Sequence, residues 1–271
     1  MSAPADRYVD RVFLAANGSP QLARCALLFL DLLGVTEMAT GPRAQQNLVD
    51  LEQAIRGLVR DFLDPGSAWP AAMFSDTLVM ASPVDLFGGD EVAIAGLLLQ
   101  ASWLQLSLAE RGFFARGSIT LGDFYIRDEL VFGAALVEAY HLERDSAVHP
   151  RVIFSEEVHR AQRKNLEAYV ARKGVPLTTL LLRDRDGRAF LNYLEVVLEE
   201  AEDPQPRLAA HRDVLAGKLQ AYRDNSRVWE KYRWASEYHN HFCGEHAEAE
   251  WYTPDLLIPA AHLTQEWNPA I

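Results

Sequence analysis

The sequence predicts an α+β fold: a mostly antiparallel sheet with helices packed on it, followed by a C-terminal helical arm. Three observations predict it. Short apolar runs alternate with longer stretches whose apolar residues recur at helical spacing. Some of the runs are paired across short turns, Ser75-Asp76-Thr77 and Asp186-Gly187, which favours antiparallel neighbours. An acidic, proline-bearing stretch, Glu199–Pro206, then separates this body from a long helical pattern. The expected division is residues 1–200 for one domain and 201–271 for the arm.

The first strand is Arg24–Leu30 (RCALLFL), a continuous apolar run of the kind buried on both faces, and it ends in Asp31. A helix near Ala44–Leu63 carries Leu48, Leu51, Ile55, Leu58 and Phe62 on one stripe, and Asp64-Pro65-Gly66-Ser67 stops it. Ala71–Phe74 and Leu78–Ala81 read as a tight hairpin. A helix from about Asp90 to Glu110 buries Ile94, Leu97, Leu98, Ala101, Leu104 and Leu108. Phe113–Leu121 reads as a strand broken at Gly122-Asp123, with Phe124–Ile126 as its return partner. Gly133 opens a helix from Ala134 to about Asp145. A strand Arg151–Phe154, a helix Glu156–Ala171 and a hairpin of Thr179–Leu182 with Ala189–Leu194 complete the body. The arm reads as one long helix, about Arg207–Phe242, carrying Leu215, Leu219, Tyr222, Trp229, Tyr232 and Tyr238.

Charge narrows the function classes. The 271 residues hold 26 Lys+Arg against 38 Asp+Glu, a net of −12, which argues against general affinity for duplex nucleic acid or an anionic membrane. Hydrophobic residues at 49% and charged residues at 24% suit a buried core rather than disorder. Cys25 and Cys243 make no disulfide framework and fit a reducing cytosol. Met1–Asp10 has no apolar signal core, and no uninterrupted run long enough to span a bilayer occurs, so the expected location is the cytoplasm.

Asp31 and Asp76 each sit at the end or turn of an apolar strand. With adjacent central strands, a strand exit and a neighbouring hairpin lie side by side. Two carboxylates held there suit Mg²⁺ or Mn²⁺, hard ions that take their remaining ligands from water and substrate phosphates. Two such ions activate an attacking hydroxyl and stabilise leaving pyrophosphate. Taken singly, each Asp also reads as a plain turn former. Gly88-Gly89-Asp90-Glu91 spells a diguanylate cyclase signature, but Val92 starts a helical pattern and Asp90 reads as its N-cap. His239, His241, Cys243 and His246 form a tempting metal cluster, yet i and i+2 positions on a helix point to different faces.

Four motifs in order resemble the class III nucleotide cyclases: FLDLLGVTEMA (Phe29–Ala39), FSDTLVMASP (Phe74–Pro83), ARGSITLG (Ala115–Gly122) and VFGAALVEAYHLE (Val131–Glu143). The resemblance implies a ferredoxin-like core, with Asp31 and Asp76 holding two Mg²⁺ or Mn²⁺ ions per site. It further implies that Leu32 lends a backbone carbonyl and that Arg116 contacts the triphosphate. Where purine cyclases carry an Asn and an Arg on the helix after Gly133, this chain has Val137 and His141; their purine-reading Lys and Asp fall near Ala72 and Leu130.

A narrower resemblance spans nearly the whole chain. Arg116, Gly117, Ile119 and Gly122, then Gly133, Glu138, Ala139, Tyr140, Leu142 and Glu143, then Lys231, Trp234, Tyr238 and Asn240 match the bacterial pyrimidine cyclases of the Pycsar anti-phage system. This implies a homodimer with shared active sites that makes cyclic UMP or cyclic CMP for a separate effector. UTP is the favoured substrate and CTP the alternative. A purine cyclase with unusual base contacts stays open, as does a catalytically dead nucleotide-binding or dimerisation module. Tyr140 or Met73 fills the floor under a small base, and Lys231 is either an arm surface charge or a clamp on the terminal phosphates. Glu138 and Glu143 read as helix charges or as interface and base-pocket residues.

Overall fold

The computed structural model describes residues 8–62, 69–127, 130–162, 179–200, 203–259 and 268–269. After a 3-10 turn at Tyr8–Phe13 come β1 (Ala23–Leu32), α1 (Val35–Thr40) and α2 (Ala44–Phe62). The hairpin β2 (Ala71–Phe74) and β3 (Thr77–Pro83) leads through α3 (Val84–Phe87) into α4 (Asp90–Glu110). Next are β4 (Ala115–Arg127), β5 (Leu130–Phe132), α5 (Ala134–Ser146), β6 (Val152–Phe154), β7 (Leu181–Arg183) and β8 (Ala189–Leu191). A 3-10 turn at Tyr193–Val196 precedes α6 (Val197–Glu200), α7 (Gln205–Ala221), α8 (Ser226–Glu245) and β9 (Asn268–Pro269).

Among the described residues the strands form one sheet in the order β2-β3-β1-β4-β6-β8-β7-β9, with β5 paired to the end of β4. All pairings are antiparallel except β4 with β6. The α+β class expected from the sequence is therefore the class observed. β1 lies at the centre between β3 and β4, which is why its run is apolar on both faces. Ala26, Leu28, Leu30 and Leu32 point into a core with α2 and α4. Cys25, Leu27 and Phe29 point the other way, against Phe13 and the α5 residues Ala135 and Ala139. Strand alternation then places Asp31 on the α5 side.

Helix α4 is buried nearly all round, serving the α2 core through Leu97, Leu104 and Leu108 and a C-terminal core through Leu106 and Ala109. It is the one helix among the described residues long and apolar enough to cross a membrane by composition, and 67% of that window is buried.

Several expectations need correction. The C-terminal pattern is not one helix: it breaks at Tyr222–Asn225, where the Asn225 carboxamide accepts from the Val228 amide and starts α8 afresh. β4 is not broken at Gly122-Asp123, because those residues stay in register with Cys25 and Arg24 of β1; the returning strand is Leu130–Phe132 instead. Helix α4 is capped by Gly89 rather than Asp90, whose carboxylate is taken by Arg24 at 2.9 Å. Helix α1 was not expected at all. The second hairpin turns at Gly187, with φ 79, as its Asp-Gly pair implies, but β8 ends at Leu191 and gives way to the 3-10 turn. The helix stop at Asp64–Ser67 and positions 163–171 of the expected Glu156–Ala171 helix lie outside the described residues.

Helix α8 is fixed in place by buried polar chains. The Trp234 indole donates to Asp184 at 2.9 Å, and Asp184 also pairs with the buried Arg151. Tyr238 donates to Asn192 at 2.6 Å and accepts from the Leu194 amide at 2.9 Å. His239 Nε2 meets the Leu256 carbonyl at 3.0 Å, an acceptor only, so that nitrogen carries the proton and Nδ1 accepts. Nδ1 of His211, 3.1 Å away, must then donate, leaving its Nε2 to accept from the Tyr193 hydroxyl at 2.8 Å. The relay is complete with both imidazoles neutral.

Burial accordingly holds His211 well below its ordinary value and His239 down to about 4. Both are neutral when folded, so the unfolded chain takes up protons first as the pH falls below 6.5. His239 alone should cost about 2 kcal/mol of stability between pH 8 and pH 5. Urea unfolding at the two pH values should show that loss, and His239→Gln should reduce it. A stability unchanged between them would contradict the neutral relay.

Candidate active site

Asp31 is the ninth residue of β1 and pairs in register with Thr77 on one side and Arg116 on the other. Asp76 sits in the β2–β3 turn, beside Ser75, which adopts a left-handed φ of 57. The Leu32 amide donates to the Asp76 carbonyl at 3.0 Å, tying that turn to the end of β1. Both carboxylates therefore face one cavity of about 290 Å³, which Leu32, the Leu33-Gly34 link and the first turn of α1, Val35–Glu37, also line. The Leu32 side chain is packed in the core, 6% exposed.

The floor next to Asp31 is built by a regular match between β4 and α5. The Thr120 hydroxyl donates to the Ala135 carbonyl at 3.0 Å and the Ser118 hydroxyl to the Ala139 carbonyl at 2.8 Å. Two strand residues rise ~6.7 Å and four helix residues ~6 Å, so the pattern continues one step further. The next pair is Arg116 with Glu143: Nε lies 2.6 Å from Glu143 Oε1 and 3.4 Å from Asp31 Oδ2. Small residues allow this approach, since a Cβ on Gly122 would already touch Ala135 at 3.6 Å.

Across the cavity, the first turns of α8 present Arg227 and Lys231, one turn apart on the same face. Among the described residues neither makes a hydrogen bond or a close ion pair. Burial, then Arg116 and Arg227, hold Lys231 below the ordinary lysine value, while Glu37 and Asp31 pull it back. Asp31 is raised, by burial first; Arg116 opposes this and the like charge of Asp76 adds to it. Glu143 is pushed up to about 7 by burial, against the pull of Arg116.

Of the residues expected to act, Asp31, Leu32, Asp76, Arg116 and Lys231 surround this cavity. Tyr140 does not: it is 45% exposed on the outer face of α5, edge-on to Phe29 and under Arg144. Val137 and His141 share that outer face, and Leu130 is exposed on β5. Met73 packs against the α2–α4 core. Arg227 and Glu37 were not expected. The signal for Arg227 was present, a cation four residues before Lys231 on one helix. The histidine cluster dissolves: His239 belongs to the buried relay, and His246 bonds the Phe242 carbonyl at 2.8 Å.

The donor set fits a hard dication. Asp31 and Asp76 offer oxygen only, and their mutual repulsion and burial are relieved by a bound cation. Among the described residues no group of three or more His, Cys, Asp or Glu gathers to complete a coordination shell. The remaining ligands must then be water or a ligand's own oxygens, which is the way Mg²⁺ is held with phosphates. Three cations beside two carboxylates make the cavity suited to a metal–polyphosphate complex.

Neither protein-family models nor curated proteins match this chain. Among solved structures it is similar to the adenylyl cyclase CyaB from P. aeruginosa, with 13% identity and a TM-score of 0.47 over 63% of this chain and 94% of that one. A class III adenylyl cyclase-like ATP-binding protein from Pseudomonas aeruginosa aligns at 14% identity and TM-score 0.42, over 52% of this chain and 35% of that one. An adenylate/guanylate cyclase/hydrolase from Silicibacter pomeroyi aligns at 19% identity and TM-score 0.39, over 54% of this chain and 83% of that one. Likeness at this level assigns no chemistry; that comes from the side chains around the cavity.

Proposed function

We propose that this chain is a class III-type pyrimidine nucleotide cyclase, converting UTP to 3′,5′-cyclic UMP and pyrophosphate. The observation that carries the reading is the convergence of Asp31 and Asp76 with Arg116, Lys231 and Arg227 on one cavity. Bound Mg²⁺ or Mn²⁺ would supply charge neutralisation and lower the barrier for the ribose 3′-oxygen to displace pyrophosphate at the α-phosphorus. Asp31, Asp76 and the main chain of Leu32 would hold the ions. Lys231 and Arg227 draw the terminal phosphates to the α8 side, which orients the leaving group away from the sugar. Arg116 stands between, its charge shared by Asp31 and Glu143.

The pyrimidine preference, UTP before CTP, and a role as a cytoplasmic anti-phage enzyme whose cyclic product activates a separate effector rest on the motif resemblance. A homodimer with shared sites is part of the same proposal. The outer face of α5 and strand β5 leave Phe132, Leu130, Val137 and Tyr140 between 45% and 64% exposed, apolar side chains that a second copy would cover. A nucleotide-binding module without turnover is the second reading, favoured by Val137 and His141 where purine cyclases place Asn and Arg. Purified protein with UTP and Mn²⁺ should release pyrophosphate, and EDTA should stop it. Mixing inactive Asp76→Ala chains with inactive Tyr140→Ala chains should restore part of the turnover. Mixtures as inactive as their components would refute the shared site, and wild-type protein without metal-dependent release would favour the inert module.

A further inference from the structure

We infer that Glu143 is a positioning residue that keeps the Arg116 guanidinium from closing on Asp31, and so keeps Asp31 open to a metal ion. The inference rests on the cyclase reading of the carboxylate pair. Glu143 does not line the cavity, and its side chain is only 4% exposed, against 24% for Asp31 and 25% for Arg116. Burying a carboxylate away from water costs several kcal/mol unless a partner offsets it. Packing does not require one there: the same stripe of α5 is otherwise filled by Ala135 and Ala139.

The geometry shows what the carboxylate does. The Ser118 and Thr120 hydroxyl bonds fix the phase and height of α5, so Glu143 falls opposite Arg116. Nε is closer to Glu143 by 0.8 Å, at 2.6 Å against 3.4 Å. The Nε–H donates its hydrogen bond to Asp31 Oδ2, stretched to 3.4 Å, whereas the shorter Glu143 contact is not an aligned hydrogen bond, because Oε1 finds no donor of good direction among the described residues. When ionised, Glu143 acts as a charge that draws the guanidinium toward α5. Without it, the only neighbouring carboxylate in contact with Nε among the described residues is Asp31, and a guanidinium on a carboxylate oxygen occupies the position a metal needs. Residues that orient metal ligands from behind typically change metal affinity about 10- to 100-fold when altered.

Mn²⁺ alone is the probe, its free concentration read by EPR in titrations of the intact protein without nucleotide. Glu143→Gln, nearly isosteric, should weaken Mn²⁺ binding about tenfold, and Glu143→Asp should recover part of it. In an Arg116→Met background the Glu143→Gln change should have no further effect, because nothing remains to close on Asp31. Equal Mn²⁺ affinity in wild type and Glu143→Gln, even with a lowered melting temperature, would make Glu143 a packing residue and overturn the inference. The same loss with and without Arg116 would overturn it too. Wild-type protein that binds no Mn²⁺ would instead overturn the metal reading of Asp31 and Asp76, and this inference with it.

Discussion

Asp31→Ala and Asp76→Ala should each abolish cyclisation, by about three powers of ten or more, while the protein stays folded. Each removes one of the two carboxylate ligands, and the charge stabilisation supplied through such ligands is worth several kcal/mol. Neither change removes a structural support. The turn at Asp76 is held to β1 through its backbone carbonyl, which alanine keeps. Asp31 is raised by burial, so its carboxylate burdens the fold rather than helping it, and Arg116 retains Glu143 at 2.6 Å. Melting temperatures within a few degrees of wild type, with no detectable product, are the expected pair of results. Near wild-type turnover of either variant at saturating Mn²⁺ would refute the assignment.

Gly117→Ala should be the most damaging small substitution in the sheet. A Cβ there would lie 2.2 Å from the Phe29 carbonyl oxygen and 2.8 Å from Leu30 Cδ2. The obstacle is backbone of the central strand, and β4 is held on its other side as well, where the Gly117 amide donates to Arg151 at 3.0 Å. Neither neighbour can yield without parting a ladder, so the cost should exceed about 3 kcal/mol, against about 1 kcal/mol for an exposed glycine of positive φ such as Gly187. Gly133→Ala meets the same kind of wall, 2.3 Å from the Asp123 carbonyl, with φ at +146 besides. Urea midpoints compare the set. A Gly117→Ala protein as stable as Gly187→Ala would show that β1 and β4 are not packed this closely.

Much of this fold was legible because it is written in local signals. The apolar run before Asp31 marks the central strand, and the turn residues around Asp76 mark the hairpin. What escaped needed partners distant in sequence. Gly122-Asp123 looks like a break until β1 holds it in register, and the α8 start at Asn225 is a cap hidden inside a continuous helical pattern. The site divides the same way. Asp31, Asp76, Arg116 and Lys231 stand out by type and motif, and they surround one cavity. Glu143 does not announce itself, because its relation to Arg116 depends on how strand and helix rise together across twenty-seven positions of sequence. Tyr140, picked for a base pocket, lies on a face that a single chain leaves to solvent.

The most direct test of the account is competition among the four ribonucleoside triphosphates. Purified protein is given equal amounts of ATP, GTP, CTP and UTP with Mn²⁺, and the cyclic products are separated by chromatography. By the motif resemblance, Ala72 and Leu130 stand where purine cyclases carry a base-reading Lys and Asp, and a site without such partners forgoes discrimination worth several kcal/mol. The account predicts mainly cyclic UMP, with cyclic CMP second. Mainly cyclic AMP or cyclic GMP, or no cyclic product at all, would contradict it.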